Sequence, residues 1–186
     1  MTNAARAALS RIVLFGLPCL LGSGCDLRSK AWAEETLGAL PGQTMRVIDP
    51  VLDLTLAYNY GTAFSFVGDL GDARWVFGAL SLVVAAALLA WALSGRLRSR
   101  AEIIGLGLIA GGGVGNGLDR LFRSAPHDAT AVVDFIRINF PWGGSWPTFN
   151  VADVLVAVGV AVLLLDGIRR HRAGSDPAEG AAVFDG

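Results

Sequence analysis

The sequence predicts an all-α polytopic membrane protein with four transmembrane helices, a small extracytoplasmic β-sheet and a short interfacial helix. Of the 186 residues, 53% are hydrophobic, and the mean hydropathy is +0.53, which is more apolar than is usual for a soluble domain. The apolar residues are grouped in long runs, and arginines stand at the ends of these runs. The net charge of -1 argues against the strongly basic surface of a nucleic-acid-binding protein.

Four segments meet the requirement of about 20 mostly apolar residues for a transmembrane helix: residues 7–25, 75–93, 101–118 and 151–168. The uninterrupted part of the first segment is short, so this segment alone also fits the core of a cleaved signal peptide. The third segment ends in a run of glycines, which favours close packing between membrane helices. These glycines do not form a phosphate-binding loop, because no Lys-Ser/Thr pair follows them.

Basic residues near the ends of the spans predict the orientation, because they are retained on the cytoplasmic side. Three clusters fit one side of the membrane: Arg6 and Arg11; Arg96, Arg98 and Arg100; and Arg169, Arg170 and Arg172. Both termini are therefore expected to be cytoplasmic, with residues 26–74 and 119–150 facing outward. We expect one membrane-embedded domain over residues 1–170 and a disordered cytoplasmic tail over residues 173–186.

The first outward segment is long enough to contain secondary structure. Within residues 45–66, apolar side chains recur mostly at every second position, which is typical of a strand or hairpin. Residues 31–40 have helical composition and are expected to lie along the interface, with Trp32 at the depth of the headgroups.

Several polar residues stand where the membrane or its edge is expected. They are Asp26, Lys30, Asn116, Asp119, Arg120, Asp134 and Asp153. Burying an ionised carboxylate costs several kcal/mol unless it is paired or hydrogen-bonded, so these residues are candidates for a functional site. The alternative for each residue is that it anchors its span in headgroups and water. The predicted topology places all of them at the same outer face.

Asp134 and Asp153 are distinguished by their apolar neighbours, and we expect both carboxyls to be partly desolvated. Two carboxyls brought together do not readily both ionise, so one holds a proton while the other acts as a base. This is the chemistry of an aspartic protease. Spacing alone leaves open whether the two carboxyls meet.

Five blocks of sequence resemble, in order, the motifs of the lipoprotein signal peptidases, or signal peptidase II. They are residues 26–30 (DLRSK), 59–65 (NYGTAFS), 112–120 (GGVGNGLDR), 132–136 (VVDFI) and 149–153 (FNVAD). The resemblance implies a bacterial inner-membrane aspartic endopeptidase that removes signal peptides from lipoprotein precursors. It would cut just before a cysteine that carries diacylglycerol, without a metal or other cofactor. Its partners would be the precursor and membrane lipid, and we expect a monomer.

The resemblance also implies roles for single residues. Asp134 and Asp153 match the catalytic aspartates, and Asn59, Asn116 and Arg120 match polar residues that line the site. Asp26 and Lys30 match the block at the outer end of the first span, and Asp119 matches a buried structural acid. Arg120 is expected to pair with Asp26 or Asp119.

Two positions depart from the family pattern and make the pocket edge less well defined. Val154 stands where a small polar residue is frequent, and Ser65 stands where glycine is common. From the residues themselves, Asn150 is expected to cap the fourth span, because Asn accepts hydrogen bonds from free N-terminal amides. A contact between Asn150 and the substrate is the alternative.

Other chemistries have weaker support in the sequence. His127 and His171 fall on opposite sides of the membrane, and Cys19 and Cys25 lack a CxxC spacing, which argues against zinc. A Ser-Lys protease is disfavoured because Ser29 is adjacent in sequence to Lys30, the only lysine in the chain, and neighbouring helical residues point apart.

Two further classes of protein remain as alternatives. The N-terminus resembles a lipoprotein precursor's own signal, with Cys25 as the lipidated residue of an anchored binding protein. Against this, Gly22 stands where a large aliphatic residue is expected, and such a protein does not need three further spans. A small transporter subunit would use the same acids as an ion path, but the sequence has no charge in the middle of a span.

Overall fold

A computed structural model describes residues 2–61, 73–126 and 129–174. Its four long helices are α1 (Asn3–Gly38), α2 (Ala73–Leu93), α3 (Arg100–Phe122) and α4 (Val151–Gly174). All four are long and apolar enough to cross a membrane, which confirms the four predicted spans. Predictions that concern Ser65, His127 and residues 175–186 of the tail lie outside the described residues. The helix α4 runs beyond the predicted end of the fourth span, and residues 173 and 174 are helical, so the prediction of disorder is wrong for these two residues.

The helix α3 lies at the centre of the bundle. Of the 18 residues in its most apolar stretch, 50% are buried, whereas 6 to 11% are buried in the corresponding stretches of the other three helices. Glycines allow this position: a Cβ at Gly107 would lie 2.4 Å from the carbonyl oxygen of Phe15 in α1, and one at Gly112 would lie 2.4 Å from that of Ala152 in α4. The predicted role of the glycine run in close helix packing is therefore confirmed.

The helix α1 is longer than its predicted span. Residues 31–38 are helical as predicted, but they continue α1 instead of forming a separate interfacial helix, so α1 has 36 residues. Its length is about 54 Å, more than the roughly 30 Å of a bilayer core. The extension is stabilised because Ala33 and Leu37, one turn apart, pack against Leu56, Val133 and Phe135 of the sheet.

The sheet lies at the end of the bundle reached by this extension. After a 3-10 turn (Pro41–Gln43), β1 (Thr44–Ile48) and β2 (Leu52–Asn59) form an antiparallel hairpin, as predicted. The strand β5 (Val132–Ile138) pairs with β2, giving the order β1-β2-β5. The short strands β3 (Ser124–Ala125) and β4 (Ala129–Thr130) form a separate ribbon.

The register of the sheet positions the polar residues. Asp134 in β5 lies opposite Ala57 in β2, two residues from Asn59. Farther along the chain, Phe149 exchanges backbone hydrogen bonds with Ile136. This bridge brings the start of α4, and with it Asn150 and Asp153, beside β5.

Candidate active site

The carboxyl group of Asp134 is buried between the sheet and the bundle, with 5% of the residue exposed. Its Oδ1 accepts a hydrogen bond from Asn150 Nδ2 at 2.6 Å, and its Oδ2 accepts one from Asn59 Nδ2 at 3.1 Å. Burial raises the pKa of Asp134 to about 6; the charge of Asp153 adds to this effect, while the two amide donors oppose it. Asp134 therefore holds a proton more readily than an ordinary aspartate.

The carboxyl group of Asp153 lies in the first turn of α4. Its Oδ1 accepts from Asn116 Nδ2 and its Oδ2 from the backbone N–H of Asn150, each at 3.1 Å. The residue is exposed, so the expectation that both carboxyls are partly desolvated is wrong for Asp153. The physical reason is its position at the open end of α4, where no described element covers it.

Asn150 connects the two carboxyls. Its Oδ1 accepts from the N–H of Asp153 at 3.2 Å, while its own N–H donates to Asp153 Oδ2. This reciprocal pair is a helix cap, as predicted for Asn150. Its Nδ2 donates to Asp134 and, at 3.1 Å, to Asn116 Oδ1. The side chain is completely buried, so Asn150, through its side-chain amide and its backbone N–H, fixes the relative positions of both carboxyls.

A second polar group lies next to this one. Lys30, with no exposed surface, contacts Asp26 Oδ2 at 2.7 Å and Asp119 Oδ2 at 2.8 Å, and it donates to Asn116 Oδ1 at 2.7 Å. Asp26 Oδ1 also accepts from the backbone N–H of Ala152 at 2.8 Å. Lys30 therefore pairs with two buried carboxylates and not with Ser29, whose hydroxyl donates to the carbonyl oxygen of Asp26.

Arg120 does not pair with Asp26 or Asp119, so that prediction is wrong. It donates to the carbonyl oxygen of Asn116 at 3.1 Å. Its charge interacts with those of Asp134, Asp153 and, more weakly, Asp119, without forming an ion pair with any of them. The arginine that pairs with Asp119 is Arg123, which also binds Glu34 of α1 at 2.6 Å. The spacing of four between Asp119 and Arg123 was a usable signal for this pair, whereas nothing in the sequence indicated Glu34.

Beside the carboxyl groups, a cavity of about 390 Å³ opens among α2, α3 and α4. Asn59 and Arg120 supply polar groups to its wall, and most of the other lining side chains are apolar, among them Phe77, Leu80, Val84, Ile109 and Val156. Such a cavity suits an extended apolar ligand with a polar end. In the described part of the chain, no group of three or more His, Cys, Asp and Glu side chains is arranged to hold a metal ion.

Comparison with known proteins gives concordant results. The family model described as signal peptidase (SPase) II matches residues 19–169. The lipoprotein signal peptidase of Hydrogenovibrio crunogenus is 38% identical over 143 residues, which cover 75% of this chain and 76% of that protein. The lipoprotein signal peptidase of Pseudomonas aeruginosa is 37% identical over 152 residues, covering 80% and 84%. A solved structure of a bacterial membrane enzyme aligns with a TM-score of 0.67 at 25% identity, covering 81% of this chain and 89% of that one.

Proposed function

The chain belongs to the signal peptidase II family, and we propose that Asp134 and Asp153 are the two carboxyl groups with which it hydrolyses a peptide bond. It is a membrane protein and an aspartic peptidase that processes lipoproteins. The comparisons give no support to a lipid-anchored binding protein or a transporter subunit. The observation that carries the assignment is that Asn150 links two carboxyls in different environments, donating from its side-chain amide to Asp134 and from its backbone N–H to Asp153.

The different environments suggest different roles for the two carboxyls. Asp134 is buried and has a pKa of about 6, so it is the better candidate to hold the shared proton. Asp153 is exposed and acts as the base that takes a proton from the attacking water. Asp134 donates to the oxyanion that develops on the scissile carbonyl, and a proton then passes to the leaving amine. Bound substrate would exclude water and raise the pKa of Asp134 further.

The remaining polar residues would position the reacting groups. Asn116 and Asn150 hold the carboxyls through the hydrogen bonds described above. Asn59 and Arg120 line the neighbouring cavity and are suited to contact the substrate backbone. Asp26, Lys30 and Asp119 stabilise the helices around the site without contacting substrate.

The substrate would be a lipoprotein precursor that carries a diacylglyceryl-modified cysteine, cut just before that cysteine. Its apolar signal segment would lie among the helices, where the cavity of about 390 Å³ opens. The acyl chains would add about 0.8 kcal/mol for each buried methylene. Membership of the signal peptidase II family suggests a location in the bacterial inner membrane. The arginine clusters support an orientation with both termini cytoplasmic and the site at the outer face. We propose that the chain acts as a monomer.

The test is cleavage of a diacylglyceryl-modified precursor peptide by the purified chain in detergent. We expect Asp134→Asn and Asp153→Asn each to lower the cleavage rate by about 10²- to 10⁴-fold, the usual contribution of an acid-base group. Asp53→Asn is the matched control, because Asp53 is a buried carboxylate of the same sheet that binds Arg137 and Asn139 instead. Substantial activity in either folded active-site variant would overturn the assignment.

Two further arms separate the alternatives. A chelator should leave the activity unchanged if the two carboxyls activate water without a metal. Cys25→Ser should also retain activity, whereas lipid labelling at Cys25 in a folded but inactive wild-type protein would identify a lipoprotein precursor.

A further inference from the structure

A second cavity opens at the end of the bundle opposite the candidate active site. It has a volume of about 380 Å³ and lies where α2 ends, α3 begins and α4 ends. Its wall includes Trp91, Arg96, Arg98, Glu102, Gly167 and Arg170. We propose that this cavity binds the phosphate headgroup of an anionic phospholipid. The proposal is independent of the peptidase chemistry.

The charge of the wall favours an anion. Arg170 binds Glu102 and, at 3.0 Å, Asp166 through its Nη2, whereas its Nη1 is buried without a hydrogen-bond partner in the part of the chain that the structure describes. Arg96 and Arg98 are exposed, and neither guanidinium has an ion pair with a described residue. Two guanidinium groups without an ion pair to a described residue therefore line the cavity, and Glu102 is the one carboxylate among its lining residues. Phosphate oxygens match such donors in geometry and charge.

The surroundings favour a lipid over a free anion. Trp91 is 50% exposed, and tryptophan is enriched at the depth of the headgroups. Leu93, Leu164 and Ile168, on the two helices that end at the cavity, are also exposed and would lie along the acyl chains. Basic pockets between membrane helices are a known way to bind anionic headgroups. The same arginines support a cytoplasmic position, so the lipid would come from the inner leaflet.

The test counts bound lipids by native mass spectrometry of the full chain in detergent, titrated with phosphatidylglycerol or phosphatidylcholine. We expect the wild type to prefer phosphatidylglycerol, and Arg96→Gln/Arg98→Gln to weaken its binding about 30-fold. Arg169→Gln/Arg172→Gln is the matched control: it removes two charges at the same end from exposed residues outside the cavity wall. Its binding should stay close to that of the wild type.

Gly167→Leu tests the site without any change of charge. A Cβ at Gly167 would meet no atom within 4 Å, so the leucine enters open space at the cavity wall, and it favours the helix more than glycine does. We expect this folded variant to lose the preference for phosphatidylglycerol. Equal losses in both arginine double variants, or full binding by Gly167→Leu, would overturn the proposal in favour of diffuse surface charge. Inorganic phosphate that displaces the lipid at equal concentration would overturn the lipid as the ligand.

Discussion

Asp26 and Asp119 are joined by the ammonium group of Lys30, whereas Asp134 and Asp153 are joined by two neutral N–H donors of Asn150. Its side-chain amide donates to Asp134 and its backbone N–H donates to Asp153. We call the first set (Asp26, Lys30 and Asp119) the lysine cluster and the second (Asp134, Asn150 and Asp153) the amide-bridged pair. The ammonium group offsets part of the negative charge of the two buried carboxylates, and Arg123 also pairs with Asp119. Asn150 is neutral, so it donates hydrogen bonds to the amide-bridged pair but adds no charge, and the buried Asp134 takes up a proton more readily than an ordinary aspartate. The lysine cluster thus contains its own cation, whereas the amide-bridged pair is held by neutral donors.

Asn116 contacts both sets, and its contact with the lysine cluster fixes the orientation of its side-chain amide toward the amide-bridged pair. Its Oδ1 accepts from Lys30 and from Asn150, and its Nδ2 donates to Asp153. Because an ammonium group can only donate, Lys30 fixes which end of the Asn116 amide is the acceptor. The other end then points to Asp153, so the lysine cluster orients the amide-bridged pair.

The largest effect is expected when the cation of the lysine cluster is removed. Lys30→Met leaves Asp26 with only one described donor, the N–H of Ala152, whereas Asp119 keeps Arg123. Loss of one partner of a buried ion pair costs about 3–5 kcal/mol, so we expect the free energy of unfolding in mixed detergent micelles to fall by this amount. Lys30→Met/Asp26→Asn should be more stable than Lys30→Met. If the second substitution brings no recovery, the charge of Asp26 is not what Lys30 compensates.

The next effect concerns the proton of the amide-bridged pair. The folded-state pKa of Asp134 is about 6, above the ordinary value of 3.8, so the folded chain binds more protons than the unfolded chain between these values. The wild type should therefore lose stability as the pH rises through this window, by about 3 kcal/mol in total. Asp134→Asn lacks this group, so its free energy of unfolding relative to that of the wild type should rise between pH 4 and pH 8.

Asp53→Asn provides a control of opposite sign. Arg137 and Asn139 hold the pKa of Asp53 below its ordinary value, so the wild type gains stability from Asp53 as the pH rises through the acidic range. The free energy of unfolding of Asp53→Asn should therefore decrease relative to that of the wild type as the pH rises. The free energies of unfolding of Asp134→Asn and Asp53→Asn, each relative to the wild type, should change in opposite directions with pH. A change in the same direction would contradict the assigned pKa shift of Asp134.

The spans and the hairpin could be predicted from the sequence because each depends on a local pattern. Apolar runs indicate the four helices, and alternation indicates β1 and β2. The continuation of α1 to Gly38 could not be predicted, because it depends on Ala33 and Leu37 packing against strands far along the chain. The strand β5 was missed because an apolar run alone does not distinguish a buried strand from other buried segments.

For the site, the sequence indicated the residue types but not their pairing. The acids were found because carboxyls are rare in apolar surroundings, and the cap at Asn150 follows from its place before α4. The partner predicted for Arg120 is wrong and none is predicted for Arg123, since both arginines follow Asp119 closely and only the packing of α1 against α3 selects Arg123. The exposure of Asp153 could not be predicted either. Its neighbours in sequence are mostly apolar, which predicts burial, whereas its actual exposure depends on tertiary structure.

The smallest effect tests whether the two sets share one structural support. A Cβ at Gly112 would lie 2.4 Å from the carbonyl oxygen of Ala152, so Gly112→Ala should push the start of α4 away at a cost of about 1–3 kcal/mol. The N–H of Ala152 donates to Asp26, and the next residue is Asp153. We therefore expect the unfolding free energy and the cleavage rate to fall together.

Gly16→Ala is the control, because its Cβ would meet no atom within 4 Å and alanine favours a helix. A Gly112→Ala variant that is less stable but cleaves at the wild-type rate would show that the amide-bridged pair keeps its geometry without the support of the lysine cluster.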